Sequence, residues 1–482
     1  MSLNGFASKF STVGWAVMLL VAGCSVGPNY RQPETAVTAA WNEAQQSGFD
    51  IGPAPLTDWW TEFNDTLLNS LVKRAVQSNL DIRLAEARIR ESRALRDATA
   101  ADAWPRLDTT GSYARSRSSE NAFSSSAGGD SRSFGADGAR DLFRAGFDAS
   151  WEVDVFGGVR RRVEAADANV AASVEERRNA LVILLGDVAR NYIELRGFQR
   201  RLAVARSNLQ AQQETLDLTR VRFEAGLSSD FEVAQSEGQV NTTAAQIPAL
   251  ESALKGSVHR LDVLLGQQPG ALWTELSNEA PVPALPPQAH VGMPAELLRR
   301  RPDIRRAERV LASTTAQVGA ATADLYPRFS LTGAFGFQSI SAGDLITSPS
   351  RFWSIGPTIL WPVFDAGRIR ANIAVRNAQQ EQALTLYEKT VLTAFEDVEN
   401  SLMNYAKEQT RYRALMDAVA ANRRAVQMAN ELYTRGLVDF LNVLETQRSL
   451  YASESELAQS ETVMASNLVA LYKALGGGWE TD

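Results

Sequence analysis

Asn79-Leu80-Asp81-Ile82-Arg83 leads to Trp104-Pro105-Arg106, and Arg301-Pro302-Asp303-Ile304-Arg305 leads to Tyr326-Pro327-Arg328. The offset is constant: Asn79 answers to Arg301, and Trp104 to Tyr326. Further on, Glu152-Val153-Asp154-Val155-Phe156-Gly157-Gly158-Val159-Arg160 answers to Trp361-Pro362-Val363-Phe364-Asp365-Ala366-Gly367-Arg368. Phe223-Glu224-Ala225-Gly226-Leu227 answers to Tyr433-Thr434-Arg435-Gly436-Leu437, at a slightly smaller offset. Internal repetition bounds the fold before any single element does. A unit carried twice predicts two similar halves about a pseudo-twofold axis.

What is repeated is a pair of strands spliced between long helices. Phe143, Ala145, Phe147, Ala149, Trp151, Val153 and Val155 alternate with Arg144, Gly146, Asp148, Ser150, Glu152 and Asp154. That is period-2 patterning over an unusually long strand. Leu107, Thr109, Gly111 and Tyr113 form a weaker partner, joined to it by the polar stretch 116–141. In the second half Phe329, Leu331, Gly333, Phe335 and Phe337 share one face, and Trp353, Ile355, Pro357, Ile359, Trp361 and Val363 share the next. Pro357 and Pro362 predict local irregularity, because proline removes a ladder donor.

Residues 159–225 contain no proline, and neither do 366–435. Their apolar residues step by four and three, as in Val391, Phe395, Val398, Leu402 and Tyr405, the spacing of coiled coils. Gly226 and Gly436 end these helices at tight turns, and return helices follow over 231–265 and 440–475. The divisions expected are a signal at 1–23, an extended lead at 24–64, a first repeat at 65–266 with its hairpin at 105–156, and a Pro-rich linker at 267–291. A second repeat at 292–475, with its hairpin at 327–364, and a tail at 476–482 complete them. Helix is expected without a break from 65 to 103.

The chain is 45% apolar with a net charge of −7, which argues against a nucleic-acid partner. One cysteine excludes an intrachain disulfide, and with only two histidines, His259 and His290, the chain has too few ligands for an ordinary Cys/His metal site. Val13 to Val21 is a short apolar run that ends in Val21-Ala22-Gly23-Cys24. This has the form of a secretory signal rather than a membrane helix. Small residues before Cys24 resemble the bacterial lipobox, which implies cleavage there and a diacylglycerol and N-acyl lipid on Cys24. The alternative is an ordinary signal with an incidental cysteine. Ser25 in place of aspartate favours outer-membrane sorting in such lipoproteins. No other stretch approaches the roughly 20 apolar residues of a membrane helix.

If the chain spans a membrane, it does so with strands. Backbone groups in lipid must all be paired, so such a sheet must close. Four strands cannot close around a lumen; three copies, giving twelve strands, can. Phe147, Trp151, Phe335, Trp353 and Trp361 are then the lipid-facing bulk of an apolar-out, polar-in barrel.

These features together resemble the TolC-type outer-membrane efflux proteins, in their NodT/OprM lipoprotein branch. The resemblance covers the mature chain and rests on Cys24-Ser25-Val26-Gly27-Pro28-Asn29-Tyr30, Ser150-Trp151-Glu152-Val153-Asp154-Val155-Phe156-Gly157, Leu298-Arg299-Arg300-Arg301-Pro302-Asp303-Ile304-Arg305, Ala323-Asp324-Leu325-Tyr326-Pro327-Arg328 and Leu471-Tyr472-Lys473-Ala474-Leu475-Gly476-Gly477-Gly478-Trp479. It implies a mainly α chain with membrane β: a homotrimer whose twelve-stranded β-barrel in the outer membrane continues into a twelve-helix periplasmic barrel. It implies an exit duct for drugs or other small molecules, with no cofactor beyond the lipid. The implied partners are outer-membrane lipid, a periplasmic adaptor (a membrane fusion protein) and an inner-membrane RND-type transporter.

No catalytic constellation is legible, so no enzyme is expected. The resemblance places Leu441, Glu445 and Arg448 at a periplasmic constriction. Their i, i+4, i+7 spacing puts them on one helical face. Asp230 and Glu232 add acids nearby, and Ser236 and Gln239 are read opposite Glu445 and Arg448, so the charged ring is threefold. The alternative is an ordinary intrahelical pair between Glu445 and Arg448. Gly226-Leu227 and Gly436-Leu437 are the expected adaptor-docking tips. A rival reading of the whole chain is a lipid-anchored periplasmic coiled-coil scaffold without a pore.

Overall fold

The structure, a computed structural model, describes residues 25–35, 37–43, 49–50, 56–117 and 139–480. Its principal elements repeat in order. Helices α1 (Thr66–Ser78) and α2 (Leu80–Ala101) lead to strands β1 (Arg106–Ser116) and β2 (Arg140–Val153), then to α3 (Gly158–Glu224) and α4 (Asp230–Leu264). Helices α5 (Pro294–Arg300) and α6 (Pro302–Ala323) lead to β3 (Arg328–Ser339) and β4 (Arg351–Leu360), then to α7 (Arg368–Thr434) and α8 (Phe440–Ala474). The long helices α3 and α7 have 67 residues each, and the return helices α4 and α8 have 35 each. At about 1.5 Å per residue, such a long helix spans roughly 100 Å.

Packing divides the chain differently from repetition. One compact unit takes Glu91–Val170 and Arg309–Leu384 with the described N-terminal residues 25–32. The other takes Pro33–Arg90, Ala171–Glu308 and Thr385–Asp482. Each unit therefore draws on both repeats.

The first unit holds one antiparallel sheet in the order β1-β2-β3-β4. Phe147, Phe335 and Trp353 stand on a single rung across β2, β3 and β4, all three exposed. Arg144, Asp148 and Thr332 lie on the opposite face, as period 2 requires. The strands are shorter than the alternation suggests. β2 ends at Val153, so Val155 is outside it, and β4 ends at Leu360, so Trp361 and Val363 are outside it. Pro362, which has no N–H, stands just past that end. Pro357, by contrast, sits inside an unbroken ladder opposite Leu331. A proline fits there only as a non-hydrogen-bonded pair, its nitrogen turned to the free edge of β4.

The N-terminal segment is tied to the same unit. Val26 N–H donates to the Phe156 carbonyl at 3.2 Å, and Arg161 donates to the Val26 carbonyl at 3.2 Å and to Asn29 Oδ1 at 2.6 Å. Gly27 has φ +84°, and a Cβ there would lie 2.5 Å from Gly319 Cα. Only glycine suits both the conformation and the approach.

The second unit holds the main core, with Trp41, Trp59, Phe63, Tyr192, Tyr405 and Tyr472 among its buried residues. Trp59 stacks on Tyr472 with ring centroids 5.4 Å apart. Here the expected single helix over 65–103 is broken. Asn79 has ψ 136°, and its Oδ1 accepts from the N–H groups of Asp81 (2.8 Å) and Ile82 (3.1 Å), capping α2. Its Nδ2 donates to the carbonyl of Leu264, the last residue of α4, at 2.8 Å. Arg301 stands at the equivalent break before Pro302 and donates to the carbonyl of Ala474, the last residue of α8, at 3.1 Å. Two different side chains thus make one contact twice.

The segments expected as linker and tail carry structure. Residues 267–291 include a short helix, Trp273–Leu276, and Ala289–His290 pairs in parallel with Phe49–Asp50. Asp262 is buried and accepts from the N–H groups of Gly270 (2.6 Å) and Leu272 (2.9 Å). At the C-terminal end, the Trp479 indole donates to the Arg300 carbonyl at 2.9 Å, and the Arg178 and Arg305 guanidinium groups lie 4.6 and 5.3 Å from its ring centroid.

Candidate functional site

The two helix turns at the ends of α3 and α7 are built alike. Gly226 and Gly436 have φ +73° and +72°. Leu227 N–H donates to the Arg222 carbonyl at 2.7 Å, and Leu437 N–H to the Leu432 carbonyl at 2.9 Å. These six-to-one bonds, with a left-handed glycine, satisfy the last helical carbonyls. Leu227 and Leu437 are both exposed at the turns.

Beyond the turns the repeats diverge. The return helices start at Asp230 and Phe440, the same offset that relates Gly226 to Gly436. Gln235 and Gly238 therefore stand opposite Glu445 and Arg448, which corrects the pairing with Ser236 and Gln239. The shared Asp-Phe dipeptides, 230–231 and 439–440, mislead by one position. Phe440 is buried with Ala429, Tyr433 and Val443, while Phe231 is exposed. The counterparts of the charged pair are uncharged.

Leu441, Glu445 and Arg448 share one face of α8, with Leu441 exposed. Among the described residues Glu445 and Arg448 form no ion pair, with each other or with a neighbour, so the intrahelical pair is not made. Asp230 is exposed as the first residue of α4, and Glu232 accepts a short hydrogen bond from the Ser228 hydroxyl across the turn. Three contacts that the sequence did not disclose surround this region. The Arg222 guanidinium lies 4.5 Å from the Tyr433 ring centroid and donates to the Tyr433 carbonyl at 3.3 Å, joining the two long helices. Gln447 donates to Thr215 Oγ1 at 2.8 Å. The Tyr451 hydroxyl donates to Gln246 Oε1, joining the two return helices. Tyr451 falls one helical turn after Arg448, a spacing that could have drawn attention to it.

The apolar strand residues separate into two kinds. Phe147, Phe335 and Trp353 point away from the polar face and are exposed in the chain. Trp151 is half-buried, and its indole donates to the Ala103 carbonyl at 2.9 Å. Trp361, expected in the strand, lies just past β4 and donates to the Leu325 carbonyl at 3.1 Å. Cys24 lies outside the described residues. No described helix is long and apolar enough to cross a membrane, and no described group of three or more His, Cys, Asp or Glu residues could hold a metal ion.

Comparison with known proteins agrees with this architecture. The family model described as outer membrane efflux protein matches residues 71–267 and 293–477. Nodulation protein T of Rhizobium leguminosarum bv. trifolii is 33% identical over 96% of this chain and 96% of its own length. The solvent efflux pump outer membrane protein SrpC of Pseudomonas putida is 32% identical over 98% of this chain and 99% of its own. The structure of the outer-membrane channel OprN superposes with a TM-score of 0.88 at 37% identity, covering 95% of this chain and 100% of that one. The chain belongs to the outer membrane efflux protein family.

Proposed function

We propose that three copies of this chain form the outer-membrane exit duct of a tripartite efflux pump. The observation that carries this reading is the four-stranded sheet with one exposed apolar face, on which Phe147, Phe335 and Trp353 share a rung. Exposed apolar area at about 25 cal/mol per Å² is unfavourable in water and favourable against lipid. Three such sheets close a barrel of twelve strands, which removes every free edge. The helices of the second unit line a periplasmic tunnel.

The duct is passive. Its gate is the threefold repetition of Leu441, Glu445 and Arg448. Three carboxylates about one axis repel one another, and a guanidinium one turn away offsets that repulsion. The lack of an in-chain ion-pair partner for either group, among the described residues, fits a contact made between copies. Asp230 and Glu232 stand at the rim. The turns at Gly226-Leu227 and Gly436-Leu437 dock a periplasmic adaptor, which couples the duct to an inner-membrane RND-type transporter. Cys24 carries the lipid anchor. The cargo is small molecules, of which organic solvents are one class, since the relative SrpC is named for a solvent efflux pump.

Heat-modifiable migration and crosslinking in isolated outer membranes test this, wild type against Phe147→Lys. A trimer embedded in the membrane and lost in the variant supports the reading. Protein released by carbonate and indifferent to the substitution overturns it, leaving a lipid-tethered scaffold.

A further inference from the structure

The second unit contains a cleft between α3, α7 and α8 whose innermost polar groups are unused. Gln212, Tyr433 and Gln447 line it and are buried, at 3%, 4% and 9% exposure. Leu218, Val426 and Leu450 give it apolar walls, and its volume is about 330 Å³. Sites for small organic ligands run upward from roughly 300 Å³. Gln447 donates to Thr215 Oγ1 at 2.8 Å. Among the described residues, neither amide atom of Gln212 has a hydrogen-bond partner, nor has the Tyr433 hydroxyl. A buried donor or acceptor left unpaired costs stability, and apolar side chains of the same shape avoid that cost.

The repeat supplies an internal comparison for each group. At the offset that relates Gly226 to Gly436, Asn422 answers to Gln212. There the amide is used: Asn422 Nδ2 donates to the Ser449 carbonyl at 3.3 Å and to Ser453 Oγ at 3.1 Å, joining α7 to α8. Phe223 answers to Tyr433, so the hydroxyl has no counterpart. Where the same long helix is built a second time, it needs neither a free amide nor a hydroxyl at these positions. Water would pair the polar atoms of the cleft but gains nothing against Leu218, Val426 and Leu450, which favour an apolar occupant. Glu214, exposed, is the one charged residue among the described residues that line the cleft, which disfavours an anion.

We propose that this cleft is a binding site for an uncharged organic molecule that carries a carboxamide on an apolar body. A carboxamide sets an N–H beside a carbonyl, so it pairs reciprocally with the Gln212 amide, donating to Oε1 and accepting from Nε2. The Tyr433 hydroxyl donates to the second lone pair of the ligand carbonyl. The apolar body lies against Leu218, Val426 and Leu450. Such an occupant joins α3 to α7 and α8. The site is separate from the candidate gate, because Gln447 and Leu450 fall on the face of α8 opposite Leu441, Glu445 and Arg448. Binding here does not depend on the duct reading.

The test uses the whole purified protein in detergent, with benzamide as the probe, in equilibrium dialysis against matched micelles. Benzoate keeps the ring and adds a negative charge; toluene keeps the ring and lacks the amide. The expected result is saturable binding of benzamide at one site per chain, and no saturable binding of benzoate or toluene. Gln212→Leu should weaken benzamide binding about tenfold, and Tyr433→Phe severalfold. Both variants remove only atoms that have no hydrogen-bond partner among the described residues, and Tyr433→Phe keeps the ring that Arg222 covers. Circular dichroism should therefore show an unchanged helical signal in each. No saturable binding of benzamide overturns the proposal and leaves the cleft to water. Benzamide binding that toluene matches, or that survives both substitutions in folded protein, overturns it as well.

Discussion

The indole N–H of Trp151 donates to the carbonyl of Ala103, 2.9 Å away, tying the end of a membrane strand to the turn after the helix that precedes its hairpin. Trp361 does the same to Leu325 at 3.1 Å. Donor answers to donor at the offset that relates Gly226 to Gly436, and acceptor to acceptor at the offset that relates Trp104 to Tyr326. The bond is therefore part of the repeated unit. Each ring also offers the amphipathic body that suits a membrane interface, apolar at one end and hydrogen-bonded at the other.

Replacing Trp151 by phenylalanine keeps an aromatic ring and removes the donor. The Ala103 carbonyl then turns to water or stays unpaired, a cost of about 1 kcal/mol per copy. We expect the heat-modifiable trimer to dissociate several degrees lower, with Trp361→Phe giving a similar shift. The two sites belong to separate hairpins, so their effects should add. A melting profile of the oligomer band against temperature, single variants beside the double, checks both statements.

The fold was legible from the repeat because duplication copies local signals. Alternation located β2 and β3, and the absence of proline located α3 and α7. Strand ends were less legible: the pattern runs on through Val155 and Val363, while pairing stops at Val153 and Leu360. Pattern reads side-chain facing; pairing requires backbone partners, and these are not written in the alternation. The break at Asn79 was hidden for a related reason. Arg301 is followed by proline, which announces a break, whereas Asn79 breaks its helix through capping bonds and a bond to Leu264 that exist only in the folded chain. At the candidate gate, the face shared by Leu441, Glu445 and Arg448 was readable from spacing. The links from Arg222 to Tyr433 and from Tyr451 to Gln246 bridge elements far apart in sequence, and no local signal carries them.

Gly27 meets Gly319 so closely that a side chain at 27 has no room. At φ +84° any other residue there is also strained. Gly27→Val should therefore lift the segment from Ser25 to Asn29 away from Arg161, breaking contacts to Val26 and Asn29. We expect the N-terminal segment of the purified trimer to become cleavable by protease while the helical circular-dichroism signal is kept. Unchanged resistance to cleavage would show that the segment docks by other means.

The gate assignment predicts an electrical result. Glu445→Ala combined with Arg448→Ala removes both charges of the proposed ring and leaves Leu441 as its apolar neighbour. Closed-state single-channel conductance in planar bilayers should rise severalfold, since neither residue has an in-chain ion pair to lose among the described residues. The Tyr451→Phe variant separates gating from pore lining. It removes the hydroxyl that bonds to Gln246, so it should raise the frequency of opening and leave the open conductance as it was.

Glu461 supplies a pH test. Burial pushes its carboxyl above the usual range, and Arg200 offsets this only in part. A carboxyl with a folded-state pKa above its unfolded value binds protons more tightly in the folded protein. Its favourable contribution is therefore complete below the unfolded value, about 4.3 for glutamate, and is lost as pH rises through the folded one. At pH 7 the ionised group is a net burden, so Glu461→Gln should raise the thermal midpoint there. On acidification below about pH 4 the wild-type carboxyl is neutral, and the difference should vanish. Thermal unfolding of the two proteins in the same detergent, at pH 7 and at pH 4, checks this. A gain of equal size at both values would trace the effect to packing of the amide rather than to the charge.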